Sequence, residues 1–171
     1  MYCMRPREGI EHFEALLGLD LGDNLGVRQD LLSAYLVVDN VEAARDLVER
    51  FVDDDSAFFE WARVLIYYLS RDFHEAASSL ARARRANKYA ERYLLNKKEP
   101  PEEEPIDYVQ GRDSEAQYCA FHLGFPWSLH PAAWIWIQCG GRPGDGEYFG
   151  AYSMLKKKPS LSKTALFDKM K

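Results

Sequence analysis

Apolar residues recur at helical spacing along most of the first 96 residues. In residues 7–19, one helix face carries Ile10, Phe13, Leu16 and Leu17. The same spacing, bounded by Asp, Asn, Ser and Gly, predicts further helices at 25–38, 41–51, 57–69, 73–86 and 89–95. Because only a few residues separate these segments, neighbouring helices are expected to run antiparallel.

An internal period of about 34 residues runs through this region. Gly9, Ala43 and Ala76 stand 34 and 33 residues apart, and each follows an acidic residue. A large apolar residue comes four positions after each, at Phe13, Leu47 and Leu80. This is the period and second-helix signature of tetratricopeptide repeats, in which the small residue allows two helices to approach. We therefore expect close helix crossings at the three small residues.

The repeat pattern ends after residue 96. Three prolines and many charges predict a linker at 97–111. A helical hairpin is expected at 112–138, with one helix from Asp113 to Leu123, an interruption at residues 124–126, and an apolar helix at 131–137 whose first residue is proline. Residues 139–171 form a glycine-rich connector and a basic tail. The repeats themselves occupy 7–96.

Three local motifs carry a family resemblance. Residues 22–28, Gly-Asp-Asn-Leu-Gly-Val-Arg, resemble the Asn-Asp-Asn-x-Gly-x-Arg motif of tetratricopeptide-like proteins of bacteria, plants and algae. Residues 93–95 and 111–116 are similar to a later stretch of that group and of the suppressor of tumorigenicity seven family. The resemblance implies an α-solenoid that works as an interaction scaffold, and it carries over no catalytic residue. Because 87–92 lacks the prolines usual in relatives, we expect the third repeat to run into the next helix.

The motif at 22–28 also has a plain structural interpretation. Asp23-Asn24 is expected to cap a helix that begins at Leu25, with Asn24 in the capping role. Arg28 lies one turn later and is expected to pair with a nearby acid, Asp23 or Asp30.

Composition and charge narrow the class of protein. The net charge of −5 and pI near 5.4 disfavour general nucleic-acid binding, which requires clustered cations. No segment reaches transmembrane length. Three widely spaced cysteines, an odd number, argue against a disulfide framework and favour a reducing compartment. An intracellular location, cytoplasmic or organellar, is expected.

The strongest binding signal is a predicted groove on the first helix of each repeat. Its side chains are Leu25, Arg28, Leu32 and Tyr35 in one repeat and Phe58, Trp61, Leu65 and Tyr68 in the next. Aromatic residues with one arginine suit a protein or peptide hot spot. In the alternative interpretation, residues 134–137 fold back and fill the groove. In the tail, Leu166 and Phe167 are expected to anchor the chain on another subunit.

Catalytic and metal chemistry have weaker signals. Cys119, His122, His130 and Cys139 offer zinc-ligand types, but their spacing fits no zinc finger, so neither a metal nor another cofactor is expected. No nucleophile elbow or phosphate loop is present.

Taken together, these patterns predict an all-α, tetratricopeptide-like α-solenoid of about two and a half repeats with a C-terminal helical extension. Its expected function is that of a non-catalytic protein-interaction scaffold or a subunit of a larger assembly. The rival function is that of a small hydrolase using Cys119 or His122.

Overall fold

A computed structural model describes residues 6–20 and 22–142, and its regular structure over those residues is all α-helical. The helices are α1 (Pro6–Leu19), α2 (Arg28–Val37), α3 (Val41–Arg50), α4 (Ala57–Leu69), α5 (Phe73–Ala86), α6 (Ala90–Leu94), α7 (Asp113–Ser128) and α8 (Pro131–Gln138). No helix among the described residues combines the length and the apolar character needed to cross a membrane. The tail, including Leu166 and Phe167, lies outside the described residues.

Helices α1 to α5 pack in sequence order, each against the next, and α7 returns to contact both α2 and α4. Eleven of the thirteen residues of α4 are buried. A helix that is covered on nearly every side lies in the core, so α4 is the centre of the described structure. Helices α3, α5 and α7 each cover part of it.

The α2–α3 and α4–α5 hairpins are joined by turns of the same geometry. The backbone N–H groups of Asn40 and Asp72 each donate to the carbonyl oxygen five residues earlier, at 2.9 Å in both turns. The preceding residues, Asp39 and Arg71, have φ of 61° and 62°. This is the Schellman ending of a helix. The two turns stand 32 residues apart, so the structural period is slightly shorter than the 33 and 34 residues that the sequence indicated.

The residue that ends each of these turns also begins the next helix. The side chain of Asn40 accepts a hydrogen bond from the backbone N–H of Ala43, and that of Asp72 accepts one from Glu75. Such N-caps satisfy a donor at the first turn of the helix that has no partner within it. One residue therefore fixes both the end of the turn and the start of the returning helix, twice in the chain.

The three small residues of the period do not share one environment. Ala76 is completely buried, as expected for a close crossing. Ala43 is only half-buried, and its neighbour Ala44, 32 residues before Ala76, is the one with no exposed surface. Among the described residues, a Cβ added to Gly9 would meet only the ring of Phe13 in its own helix, at 3.8 Å. The close crossing expected at Gly9 is therefore not found within the described part of the chain.

Helix α2 begins at Arg28, three residues later than the expected start at Leu25. The carboxylate of Asp23 accepts two backbone N–H groups at the helix start, at 2.8 and 3.2 Å. The expected cap, Asn24, instead donates its side-chain amide to Asp20 at 3.1 Å. Asp23 is the better partner because its two oxygens satisfy two donors at once.

Two expectations for the second half of the chain are wrong. The third repeat does not continue into the next helix, because Asn87 has extended backbone (φ −152°, ψ 109°) and ends α5. Helix α7 is not interrupted at 124–126 but continues through Pro126 to Ser128. Proline removes a single N–H near the end of α7, and the next residue, Trp127, is completely buried, which holds the last turn in place.

The turn after α2 gives the first testable prediction. Asp39 holds a positive φ that glycine adopts without steric cost. Replacing this exposed residue, Asp39→Gly, should raise the free energy of unfolding by up to about 1 kcal/mol. Asp39→Ala is the matched control and should not stabilise, because alanine keeps the Cβ. Urea denaturation of both variants measures the difference, and equal stability of the two would contradict the Schellman assignment.

Candidate functional site

The residues expected to line the groove lie mostly on a buried face of α2 and α4. Six of the eight predicted side chains have at most 7% of their surface exposed: Leu32, Tyr35, Phe58, Trp61, Leu65 and Tyr68. Leu25 differs, since it precedes α2 and is 68% exposed. Arg28 is partly buried at the start of the helix. In this structure the groove side chains are therefore part of the core, with Leu25 outside it.

Helices α7 and α8 cover this face. Trp127 of α7 meets Trp61 edge to face, with ring centroids 6.0 Å apart, and Trp136 of α8 lies 5.4 Å from Tyr68. Aromatic pairs at these distances are stabilised by favourable ring electrostatics as well as by the burial of apolar surface. The alternative in which the chain fills its own groove is the one observed. Most of the cover comes from α7, however, and not from the expected residues 134–137.

A buried carboxylate fixes the position of α7. Glu115 is 2% exposed; one of its oxygens accepts the N–H of Ala57 at the start of α4, at 3.1 Å. The other oxygen accepts the side-chain amide of Asn87 at 2.9 Å and the N–H of Gly111 at 2.7 Å. Asn87 also donates to the carbonyl of Arg112. The carboxylate thus joins α4, the α5–α6 corner, the linker and α7, and its charge lies favourably at a helix N-terminus.

A second buried network joins α3, α4 and α5. Arg63 is 5% exposed and donates to Glu60 at 2.9 Å, and also to the backbone carbonyls of Phe51 and Asp54 near the end of α3. Arg82 of α5 completes the network by donating to Glu60 at 3.0 Å. A buried charge is stable only when it is paired and hydrogen-bonded. Both groups meet that condition, so this network serves packing.

Arg28 is partly buried and is also bound by groups of its own chain. Its guanidinium donates to Asp54 at 2.8 Å and lies 3.7 Å from Asp23, one of the two expected partners. The same group lies over the rings of Phe51 and Phe59, at 5.0 and 5.5 Å from their centroids. The arginine expected in the binding groove therefore fastens the loop before α4 to the start of α2.

His122 connects the acidic linker to the helices beneath it. Its Nε2 lies 3.0 Å from Glu104 of the linker, and its Nδ1 lies 3.4 Å from Asp30 at the start of α2. Its ring meets Phe58 edge to face and packs on Tyr118 at 4.5 Å. The predicted linker is thus fastened to α7 through Glu104.

The two side chains named for the rival hydrolase face different partners. The Cys119 thiol is completely buried and faces the carbonyl of Ala57 at 3.9 Å, while the imidazole of His122 faces carboxylates. Burial raises the pKa of this thiol, so the nucleophilic thiolate is disfavoured. His130 stands at the start of α8, where burial lowers its pKa against the opposing effect of Asp39, and Cys139 is exposed after that helix. No cluster of three or more metal-ligand side chains occurs within residues 6–20 and 22–142.

A cleft of about 260 Å³ lies between α1, α2 and α3. Its lining comprises Glu14, Leu17, Gly18, Leu31, Tyr35, Ala43, Asp46, Leu47 and Arg50. The leucines are buried, whereas the two acids and the arginine are exposed. The cleft therefore has an apolar floor and a charged rim, which suits a side chain with an apolar stem and a polar end.

The rim of this cleft is electronegative near Tyr35. The tyrosine hydroxyl donates to Glu14 at 2.6 Å. Burial, the bond to Glu14 and the charges of Glu14 and Asp46 all raise the pKa of this hydroxyl. Sequence reasoning missed the cleft, although a charge count offers a signal: residues 6–55 contain 13 acidic and 4 basic residues. Which of those acids share a cleft depends on how the helices cross.

Comparison with protein-family models, with curated proteins and with solved structures returns no match for this chain.

The Glu115 network gives a second prediction. In Glu115→Gln, the amide nitrogen replaces one acceptor oxygen among N–H donors, which leaves buried donors without a partner. We expect the free energy of unfolding to fall by about 1–3 kcal/mol. Glu102→Gln, in the exposed part of the linker, is the control for loss of one negative charge and should change stability little. Chemical denaturation measures both, and similar losses in the two variants would contradict a structural role for Glu115.

The environment of Cys119 gives a third prediction. In a Cys3→Ser variant, iodoacetamide should label Cys139 rapidly in the native protein, and Cys119 only after denaturation, because the thiol is buried and its pKa is raised. Mass spectrometry of the peptides reads the two sites separately. Rapid labelling of Cys119 in the native protein would show an accessible thiolate, which this packing does not allow.

Proposed function

We propose that this chain is a non-catalytic protein-binding module, an α-solenoid of about two and a half tetratricopeptide-like repeats with a helical extension. The observation that supports the solenoid most directly is the repeated junction at Asn40 and Asp72. Each junction combines a Schellman turn with an N-cap, so two successive hairpins have the same geometry. Stacked hairpins present extended surfaces, and such surfaces are used for binding partners.

The binding surface that we propose is the end of the molecule formed by α1, α2 and α3. The face of α2 and α4 is filled by α7, so its aromatic side chains are not available to a partner in this conformation. No described helix covers the cleft, and near it the last turns of α1 expose Leu16 (36%) and Leu19 (87%). Exposed leucines beside a cleft favour a protein partner.

The chemistry of this end favours a protein over a nucleic acid. Residues 6–55 have nine more acidic than basic residues, and such a surface repels phosphates. A role as one subunit of a larger assembly is compatible with the same surface. In that setting Leu166 and Phe167 of the tail would be a second docking element, as the sequence predicted.

Site-specific crosslinking tests the proposed surface. A photoreactive phenylalanine analogue placed at Leu19, on α1, should crosslink a discrete polypeptide in native extract. The same analogue at Leu129, which is also exposed but follows α7, is the control and should give no such adduct. Adducts of equal yield at both positions, or none at either, would contradict binding through the α1–α3 end.

A further inference from the structure

We propose that the cleft between α1, α2 and α3 receives a lysine or arginine side chain from a basic segment of the protein partner. This inference depends on the proposed function, because it names the chemistry of what binds at that surface. It makes the cleft the anchor point of the interaction, with the surrounding helices as its rim.

The floor and rim of the cleft match the two parts of a basic side chain. Leu17, Leu31 and Leu47 form an apolar floor, each with at most 6% of its surface exposed. The carboxylates of Glu14 and Asp46 stand at the edge. A lysine or arginine buries its methylene stem against apolar surface while its charged end stays near water and carboxylates. A neutral apolar side chain would use only the floor.

Both carboxylates can accept a cation from outside. Among the described residues, Glu14 accepts a hydrogen bond from Tyr35, but neither it nor Asp46 forms an ion pair. The arginine of the rim, Arg50, lies over the ring of Phe51, 5.3 Å from its centroid. A carboxylate that already holds one hydroxyl donor has lone pairs left for an ammonium or guanidinium group.

The surrounding charge selects the same class of partner. Within residues 6–55, 13 acidic residues face 4 basic ones. Between residues 82 and 98 the balance reverses, with seven basic residues and one acid. A basic segment is therefore attracted to the α1–α3 end and repelled from the α5–α6 corner. This difference in charge argues for a cationic partner at the cleft, and against an acidic one.

A peptide titration of the full chain tests the inference. The probe is acetyl-Ala-Leu-Lys-Leu-Ala-amide, with the same peptide carrying glutamine for lysine as its neutral control. Isotope-labelled protein at low salt should show saturable shifts of the Gly18 and Ala43 amides with the lysine peptide, and much smaller shifts with the glutamine peptide.

Matched charge variants distinguish binding to the cleft carboxylates from attraction by the overall negative charge of the α1–α3 end. Glu14→Gln combined with Asp46→Asn should weaken binding about three- to ten-fold, as expected for two partly exposed ion pairs. Glu11→Gln combined with Glu42→Gln removes the same charge from exposed positions of α1 and α3 outside the cleft lining. This double variant should weaken binding of the lysine peptide less than about two-fold. Equal weakening in both double variants, or equal binding of the two peptides, would overturn the proposal.

Two further outcomes are decisive. If shifts appear only after residues 156–171 are deleted, the chain's own basic tail occupies the cleft and the assignment to a partner is overturned. If the Leu19 crosslink persists while the lysine peptide fails to bind, this inference fails and the proposed function stands. Loss of the crosslink itself would instead count against the proposed function.

Discussion

The carboxylate of Glu115 connects parts of the chain that are far apart in sequence. It accepts donors from Ala57, Asn87 and Gly111, which belong to the start of α4, the corner after α5 and the end of the linker. A buried carboxylate without these donors would be costly, and the donors would be equally costly without it. The path of the chain after α5 is therefore constrained to return α7 to the face of α2 and α4.

That return determines which surface is left for binding. Once Trp127 packs on Trp61 and Cys119 faces the carbonyl of Ala57, the inner face of the hairpins becomes core. What stays open is the end formed by α1, α2 and α3, where no described helix packs over the cleft. Two arginines support this arrangement: the buried Arg63 donates to carbonyls near the end of α3, and the partly buried Arg28 donates to Asp54. Aromatic and arginine residues that looked like a hot spot therefore hold the fold together.

Local signals in the sequence predicted the helical content well. Apolar spacing and the polar residues between the segments placed the hairpins within a few residues, because these signals act over one or two helical turns. In the structure, Asn40, Ser56 and Asp72 are the caps at these positions. The start of α2 was misplaced because Asp23 reaches two backbone donors, which a cap consensus does not reveal. Long-range contacts were harder to predict: the partners of Glu115 are up to 58 residues away, and the cleft needs three helices. Residue patterns within one or two helical turns do not show which distant residues will be in contact.

Helix α7 is an integral part of the core and not an occupant that a partner could displace. Native-state hydrogen exchange can test this role of α7, because it measures the opening free energy of each helix separately. The amides at the middle of α7 and of α4 should exchange through one common opening with the free energy of global unfolding. Exchange of α7 through a separate opening of lower free energy, while α2 and α4 remain protected, would show instead that α7 is a displaceable cover.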